Sequence, residues 1–156
     1  MTSKQAFTDQ EWTRIRRAPF VAGVAISLAD PGGPIEVAKE TMATLRSATL
    51  PPSQEELLAS VAFDVQALTR QRQNPLGDFR PTSGQQVLEE LRGVNELVTA
   101  KATPEEVEAF RRWLVAAAQA AANAAKEGGF MGFGAEQVSA GEKQMLKQVR
   151  AALGVA

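Results

Sequence analysis

Five carboxylates lie next to two glycine pairs in the sequence and could together bind a divalent cation. They flank Gly32-Gly33 and Gly128-Gly129, and they are Asp30, Glu36, Glu40, Glu127 and Glu136. Calcium and magnesium prefer clustered carboxylate and carbonyl oxygens, and glycine turns expose carbonyls. The spacing is not that of an EF-hand, and the position of Glu36 in a first helical turn is also explained by the helix dipole. A cation site and helix capping are therefore competing interpretations.

Acid–base chemistry has one candidate, Asp64, which is the only carboxylate set tightly among apolar residues, in "SVAFDVQAL". A general acid needs a carboxyl group whose pKa is raised by an apolar pocket. A salt bridge to Arg70, Arg72 or another helix competes with that role. The chain has no histidine and no cysteine, which excludes imidazole bases, thiol nucleophiles and thiolate metal sites.

The glycine-rich segment "KEGGFMGFGAEQVS", residues 126 to 139, contains Phe130, Met131 and Phe133. It lacks the Gly-Lys-Ser/Thr ending of a phosphate-binding loop and follows a helix instead of a strand. Gly128 and Gly129 are suited to ending that helix. The three large apolar side chains predict either a plug packed onto the bundle or an exposed contact for a protein partner. No cofactor other than a divalent cation is indicated.

Charge and hydropathy exclude several classes of function. The 156 residues carry 17 Lys plus Arg and 18 Asp plus Glu, so no overall positive field indicates nucleic acid as a partner. The N-terminal sequence has no secretion signal, and the most apolar stretch, from Trp113, is too short and too polar to span a bilayer. We expect a cytoplasmic protein without a transmembrane segment.

Helix signals dominate the chain and predict an all-α fold, a single bundle of about six helices over residues 1–156, with residues 1–7 as a disordered tail. Capping boxes start at Thr8, Ser53, Thr103 and Ser139, each followed by a glutamate three residues later, as at helix N-termini. The predicted helices cover residues 9–29 with a kink at Pro19, 34–48, 54–72, 83–101, 104–127 and 140–153.

Apolar spacing indicates which helix faces are buried. Ile35, Ala38, Met42 and Leu45 form one such stripe, which predicts a face directed at the core. Eight alanines between residues 114 and 125 allow close helix approach, so this helix is expected at the centre of the bundle or at a self-association face. The basic residues Arg14, Arg16 and Arg17, and those of the last helix, are expected on solvated faces.

Residues 124–154, "AAKEGGFMGFGAEQVSAGEKQMLKQVRAALG", resemble the ending of small uncharacterised bacterial helical proteins and, distantly, the tellurite-resistance TerB-like hairpin. The matching positions are Ala124, Ala125, Glu127, Gly128, Val138, Ser139, Glu142 and Leu146. The sequence departs from TerB-like turns by having Glu127-Gly128 in place of Asp-Gly and by the Phe-Met-Gly-Phe insertion. The resemblance implies a role in stress response and, for the turns, metal binding.

Three functions follow as hypotheses. The first is a non-enzymatic interaction module that binds a protein partner or itself through Phe130, Met131 and Phe133. The second is a divalent-cation-binding protein that uses the carboxylates beside the two glycine turns. The third is a hydrolase or lyase that uses a buried carboxylate such as Asp64.

Overall fold

The structure is a computed structural model that describes residues 3–29, 34–127 and 139–155. These ranges contain six α-helices and one short 3-10 helix, and no strand, so the all-α prediction is confirmed. The 3-10 helix is Lys4–Ala6, and the α-helices are α1 (Asp9–Ala29), α2 (Pro34–Thr49), α3 (Glu56–Arg70), α4 (Gly84–Lys101), α5 (Pro104–Glu127) and α6 (Ala140–Ala152).

Three of the four predicted capping boxes form. In each, the hydroxyl oxygen accepts from the backbone N–H of the glutamate, and the glutamate carboxylate accepts from the N–H of the capping residue. The pairs are Thr8 with Glu11, Thr103 with Glu106, and Ser139 with Glu142. Local sequence therefore determines where α1, α5 and α6 begin.

The fourth box, at Ser53, is wrong because α3 begins at Glu56 and takes its cap from another helix. Ser53 Oγ accepts only a long hydrogen bond of 3.4 Å from the Glu55 N–H. The N–H of Leu57 instead donates to Oε2 of Glu106, at 3.2 Å, while Oε1 of Glu106 accepts from the Thr103 N–H at 3.1 Å. One fully buried carboxylate thus caps the N-termini of both α3 and α5.

The alanine-rich helix α5 lies at the centre of the bundle, as predicted, and packs against each of the other five helices. Its alanines 117, 118, 121 and 122 are buried, and their small side chains permit close approach of the neighbouring helices. Trp113 is fully buried, and its Nε1–H donates to the carbonyl of Ser47 at 2.8 Å. This bond ties α5 to the last turns of α2.

Residues 4–7, which belong to the stretch expected to be a disordered tail, are packed against the bundle. The Phe7 side chain is buried and lies against Trp12 with ring centroids 5.9 Å apart. The Lys101 ammonium lies 5.5 Å from the Phe7 ring centroid and also donates to Glu11 at 2.8 Å. Aromatic and charged contacts therefore fix the start of the described chain to α1 and α4.

Two of the three arginines of α1, Arg14 and Arg17, join α1 to another helix. Arg14 donates to both carboxylate oxygens of Glu90, at 3.2 and 3.1 Å, and Arg17 donates to the same carboxylate at 3.0 Å. The Arg17 guanidinium also lies 4.9 Å from the ring centroid of Phe79. The predicted solvated position is wrong for these two arginines, because Glu90 on α4 pairs with them.

Helix α2 buries two polar residues, Glu40 and Thr44, and leaves part of the predicted apolar stripe exposed. Glu40, Thr44 and Ala48, spaced at four residues, are buried, while Ala38 and Met42 are exposed. A Cβ built on Gly23 of α1 would lie 2.8 Å from Cγ2 and 3.1 Å from Cβ of Thr44, so the two helices are too close for a larger residue there. The prediction that the stripe faces the core is wrong for Ala38 and Met42.

Replacing Glu106 by glutamine is expected to lower the free energy of unfolding by about 2 to 3 kcal/mol. The amide would present N–H donors where the carboxylate now accepts from backbone N–H groups, leaving a buried donor unsatisfied. Urea denaturation of Glu106→Gln measures the change. The matched control is Glu11→Gln, which occupies the same capping-box position on an exposed helix end and should lose several times less. Equal losses for the two variants would contradict the double-cap account.

Gly23→Ala is expected to lower the free energy of unfolding by about 1 to 2 kcal/mol, because overpacking against Thr44 outweighs the better helix propensity of alanine. The double variant Gly23→Ala/Thr44→Ala removes Cγ2 and Oγ1 of Thr44, leaves only its Cβ near the new methyl group, and should recover most of the loss. Thermal or urea denaturation of both variants checks the pair. If Gly23→Ala were as stable as the wild type, α1 and α2 could move apart without a loss in the free energy of unfolding, which would contradict the expected overpacking.

Candidate functional site: the exposed apolar face of α2

The predicted cation-binding carboxylates do not form one cluster in the described part of the chain. Glu40 is buried and accepts a hydrogen bond from the Ser27 hydroxyl of α1, whereas Glu36, one turn earlier, is exposed. Asp30 and Glu136 lie outside the described residues, and so does the side chain of Glu127. Glu40 therefore belongs to the contact between α1 and α2.

Among the residues that the structure describes, no three Asp, Glu, His or Cys side chains come together in a way that could hold a metal ion. Glu142, beside the second glycine pair, is buried and uses one carboxylate oxygen to accept from the Ser139 N–H at 3.0 Å. Capping thus accounts for Glu142, as its position in the sequence suggests. Cation binding by the two glycine turns stays a prediction.

Asp64 lies at the junction of α3 with the N-terminal segment. Its Oδ2 accepts from the Trp12 indole N–H at 2.7 Å and from the Lys4 ammonium at 2.9 Å. Partial burial raises the pKa of Asp64, but the hydrogen bonds from Lys4 and Trp12, aided by the positive charges of Lys4 and Arg16, outweigh it and hold the pKa below its ordinary value. The carboxylate is suited to ion pairing and not to donating a proton.

The expected partner residues Phe130, Met131 and Phe133 lie outside the described residues. Whether these side chains form a plug or a contact stays a prediction. A different apolar surface is present within the described ranges, on α2 and the helices beside it.

An open groove of about 880 Å³ runs between α2 and α5. Its apolar lining consists of four alanines and two larger side chains: Ala38, Ala43, Ala120, Ala124, Met42 and Leu50. Met42 is 55% exposed and Leu50 is 69% exposed, so both large side chains remain mostly in contact with solvent. A contiguous apolar surface of this kind is typical of a docking site.

A second groove, of about 360 Å³, lies on the other side of α2, between α2 and α3. Met42 and Arg46 line both grooves and therefore form a ridge between them. We call the ridge and the two grooves the α2 face. It extends over three helices, with α2 in the middle and α5 and α3 on either side.

The charged residues that line the α2 face are cations. Lys39 and Arg46 border the α2–α5 groove, and Arg46 and Arg70 border the α2–α3 groove. All three side chains belong to exposed residues. None of them takes part in an ion pair with a carboxylate of the described residues. The face thus combines an apolar surface with positive charge that the described chain leaves unpaired.

The sequence alone does not reveal this face, because periodicity identifies an apolar stripe without showing which surface covers it. The i, i+4 spacing of Ala38 and Met42 is the same for a core-facing and a partner-facing helix. The available signal was the polar side of the same helix. Glu40 and Thr44, also four residues apart, could have indicated a second face that needs burial through hydrogen bonds.

Comparisons with models of protein families, with curated proteins and with solved structures found no match to this chain. Within the described ranges, every helix is too short or too polar to cross a membrane.

Asp64→Asn is expected to lower the free energy of unfolding by about 1 kcal/mol at neutral pH, because the charge-assisted bond from Lys4 is lost. Since the folded pKa of Asp64 lies below its unfolded value, this stabilisation is present above the ordinary pKa of about 3.9 and disappears as the pH falls through the folded pKa. Urea denaturation at a series of pH values measures how the free energy of unfolding changes with pH. The control, Asp78→Asn in the exposed loop before α4, keeps Asp64 and should keep the pH dependence that Asp64 gives the wild type, whereas Asp64→Asn should lose it.

Proposed function

We propose that the protein is a non-enzymatic interaction module that binds a protein partner on the α2 face. One observation carries the proposal: α2 buries two polar residues, Glu40 and Thr44, and leaves a large apolar residue, Met42, in solvent. Glu40 and Thr44 are 2% and 4% exposed, whereas Met42 on the same helix is 55% exposed and Leu50, directly after the helix, is 69% exposed.

This arrangement opposes the ordinary distribution of side chains, in which a surface helix directs its apolar stripe at the core. Burying Glu40 removes a carboxylate from water, which is costly unless hydrogen bonds replace the hydration. Here Ser27 donates to Glu40, and the Thr44 hydroxyl donates to the Glu40 carbonyl at 2.8 Å. A partner that covers Met42 and Leu50 would gain apolar burial that the isolated chain does not have.

The position of Asp64 also supports a non-enzymatic function. The hydrolase hypothesis depended on this carboxylate having a raised pKa, whereas its hydrogen bonds lower the pKa. The TerB-like resemblance of residues 124–154 adds a stress-response context to the proposal. Phe130, Met131 and Phe133 remain proposed contact residues in addition to the α2 face.

Photocross-linking in living cells tests the proposal. We expect p-benzoylphenylalanine at Met42 or Leu50 to cross-link one discrete partner protein, because both side chains lie in the surface that the partner covers. The matched control carries p-benzoylphenylalanine in place of Gln148. This position is exposed on α6 and should give no such product. Adding Met42→Glu to the Leu50 probe should reduce the product at least about tenfold, since burying that charge is unfavourable.

Cross-linking that is equally strong at Gln148 would contradict the proposal. A product that contains only two copies of this chain would also contradict it, because the α2 face would then be a self-association surface. Met42 and Leu50 are exposed, so these substitutions should change the free energy of unfolding by no more than about 0.5 kcal/mol. Circular dichroism melts confirm that each variant is folded.

A further inference from the structure

We infer that the segment bound on the α2 face is an amphipathic helix with two carboxylates spaced seven residues apart. This inference rests on the proposed docking function and adds the chemistry of the partner. It follows from the shape of the α2–α5 groove, the sign of its charges and their spacing.

The groove has the shape that a helix requires. From Ala38 to its last residue, Thr49, α2 rises about 17 Å, which matches a partner helix of about three turns. Small residues, Ala43 on α2 and Ala120 and Ala124 on α5, line the surface between the two helices. Small side chains allow a third helix backbone to approach closely, and Met42 and Leu50 provide large apolar side chains at the edges.

The charges select an acidic partner. The charged residues in the lining are Lys39 and Arg46 in this groove, with Arg70 beyond the ridge. Their ammonium and guanidinium groups form no ion pair with the described carboxylates. A partner carboxylate would therefore meet cations without displacing an ion pair among the described residues.

The spacing of the two cations on α2 indicates the spacing of the carboxylates on the partner. Lys39 and Arg46 are seven residues apart on α2, which is two helical turns or about 10 Å. A helix packed alongside α2 repeats the same face every seven residues. Two Glu or Asp residues seven apart, on the same side of an apolar stripe, would meet the two cations at once.

A second copy of the chain fits less well at this surface. If two α2 helices packed antiparallel about Met42, Lys39 of each copy would come close to Arg46 of the other, because both lie within four residues of the centre. Like charges at that distance repel each other. The charges therefore favour a different, acidic chain.

Synthetic helical peptides of about 18 residues, five turns, test the inference by fluorescence anisotropy. Each carries the same leucine stripe, and two flanking positions seven residues apart hold Glu, Gln or Lys. The Glu peptide should bind the wild-type protein about fivefold more tightly than the Gln peptide, as expected for two exposed ion pairs. The Lys peptide should bind most weakly, and added salt should reduce the advantage of the Glu peptide.

The double variant Lys39→Glu/Arg46→Glu should reverse this order, so that the Lys peptide binds more tightly than the Glu peptide. Such a reversal cannot come from unfolding, since an unfolded protein would bind none of the three. Vesicles of phosphatidylcholine with phosphatidylglycerol are the probe for an anionic lipid surface, and sedimentation of the protein alone detects self-association.

The outcomes separate this inference from the proposed function. If Glu and Gln peptides bind equally and Met42→Glu abolishes both, the acidic pattern is wrong and the docking face stands. If no peptide binds while the Met42 probe still cross-links a partner in cells, the helical partner is wrong. Binding of the vesicles without binding of the Glu peptide, or a stable dimer formed through α2, would overturn the inference in favour of a lipid or a second copy.

Discussion

The carboxylate of Glu106 holds together the N-termini of two helices that are far apart in sequence. Its two oxygens accept from Thr103 at the start of α5 and from Leu57 at the start of α3. Helices leave their first N–H groups without partners inside the helix, and a buried helix end needs an acceptor. Since Glu106 is fully buried, water cannot supply that acceptor, and the relative positions of α3 and α5 depend on this one side chain.

The α2 face lies between the two helices that Glu106 joins. Helix α2 packs between α5 and α3, and the two grooves of the face are the spaces on either side of it. The bond from Trp113 to the Ser47 carbonyl fixes the end of α2 to α5, and the close contact of Gly23 with Thr44 fixes its middle to α1. Because its inner side makes these contacts, Met42 on the opposite side of α2 faces solvent.

Much of the fold can be predicted from local sequence, because the residues that cap a helix lie within one turn of its end. Thr8, Thr103 and Ser139 each cap the helix that follows, and the predicted bounds of the six helices differ from the observed ones by no more than about two residues, the usual variation of helix ends. Helix α3 is the exception. The cap of α3 comes from Glu106, 49 residues away, and no local pattern can reveal an acceptor brought in by tertiary packing.

The candidate site was harder to predict than the fold. Glu36 and Glu40 follow the same glycine pair, which suggested that they could bind one cation together. In the structure Glu36 is exposed, whereas Glu40 is buried against Ser27. The spacing of Ala38 and Met42 correctly indicates that α2 is amphipathic. This apolar stripe faces solvent because α1 packs against Glu40 and Thr44 on the other side of the helix. Which side of an amphipathic helix meets the core is decided by the complementary surface of its neighbour, and that surface exists only in the folded chain.

NMR mapping of the bound surface shows whether a partner binds on the α2 face. In ¹H–¹⁵N spectra of the whole chain titrated with the acidic helical peptide, we expect the amides of Ala38 to Leu50 and of Ala120 to Ala124 to shift together. The amides of α6 should stay in place. Shifts concentrated on α6 or α4, with α2 unaffected, would show that the peptide binds elsewhere and that the α2 face is not the docking surface.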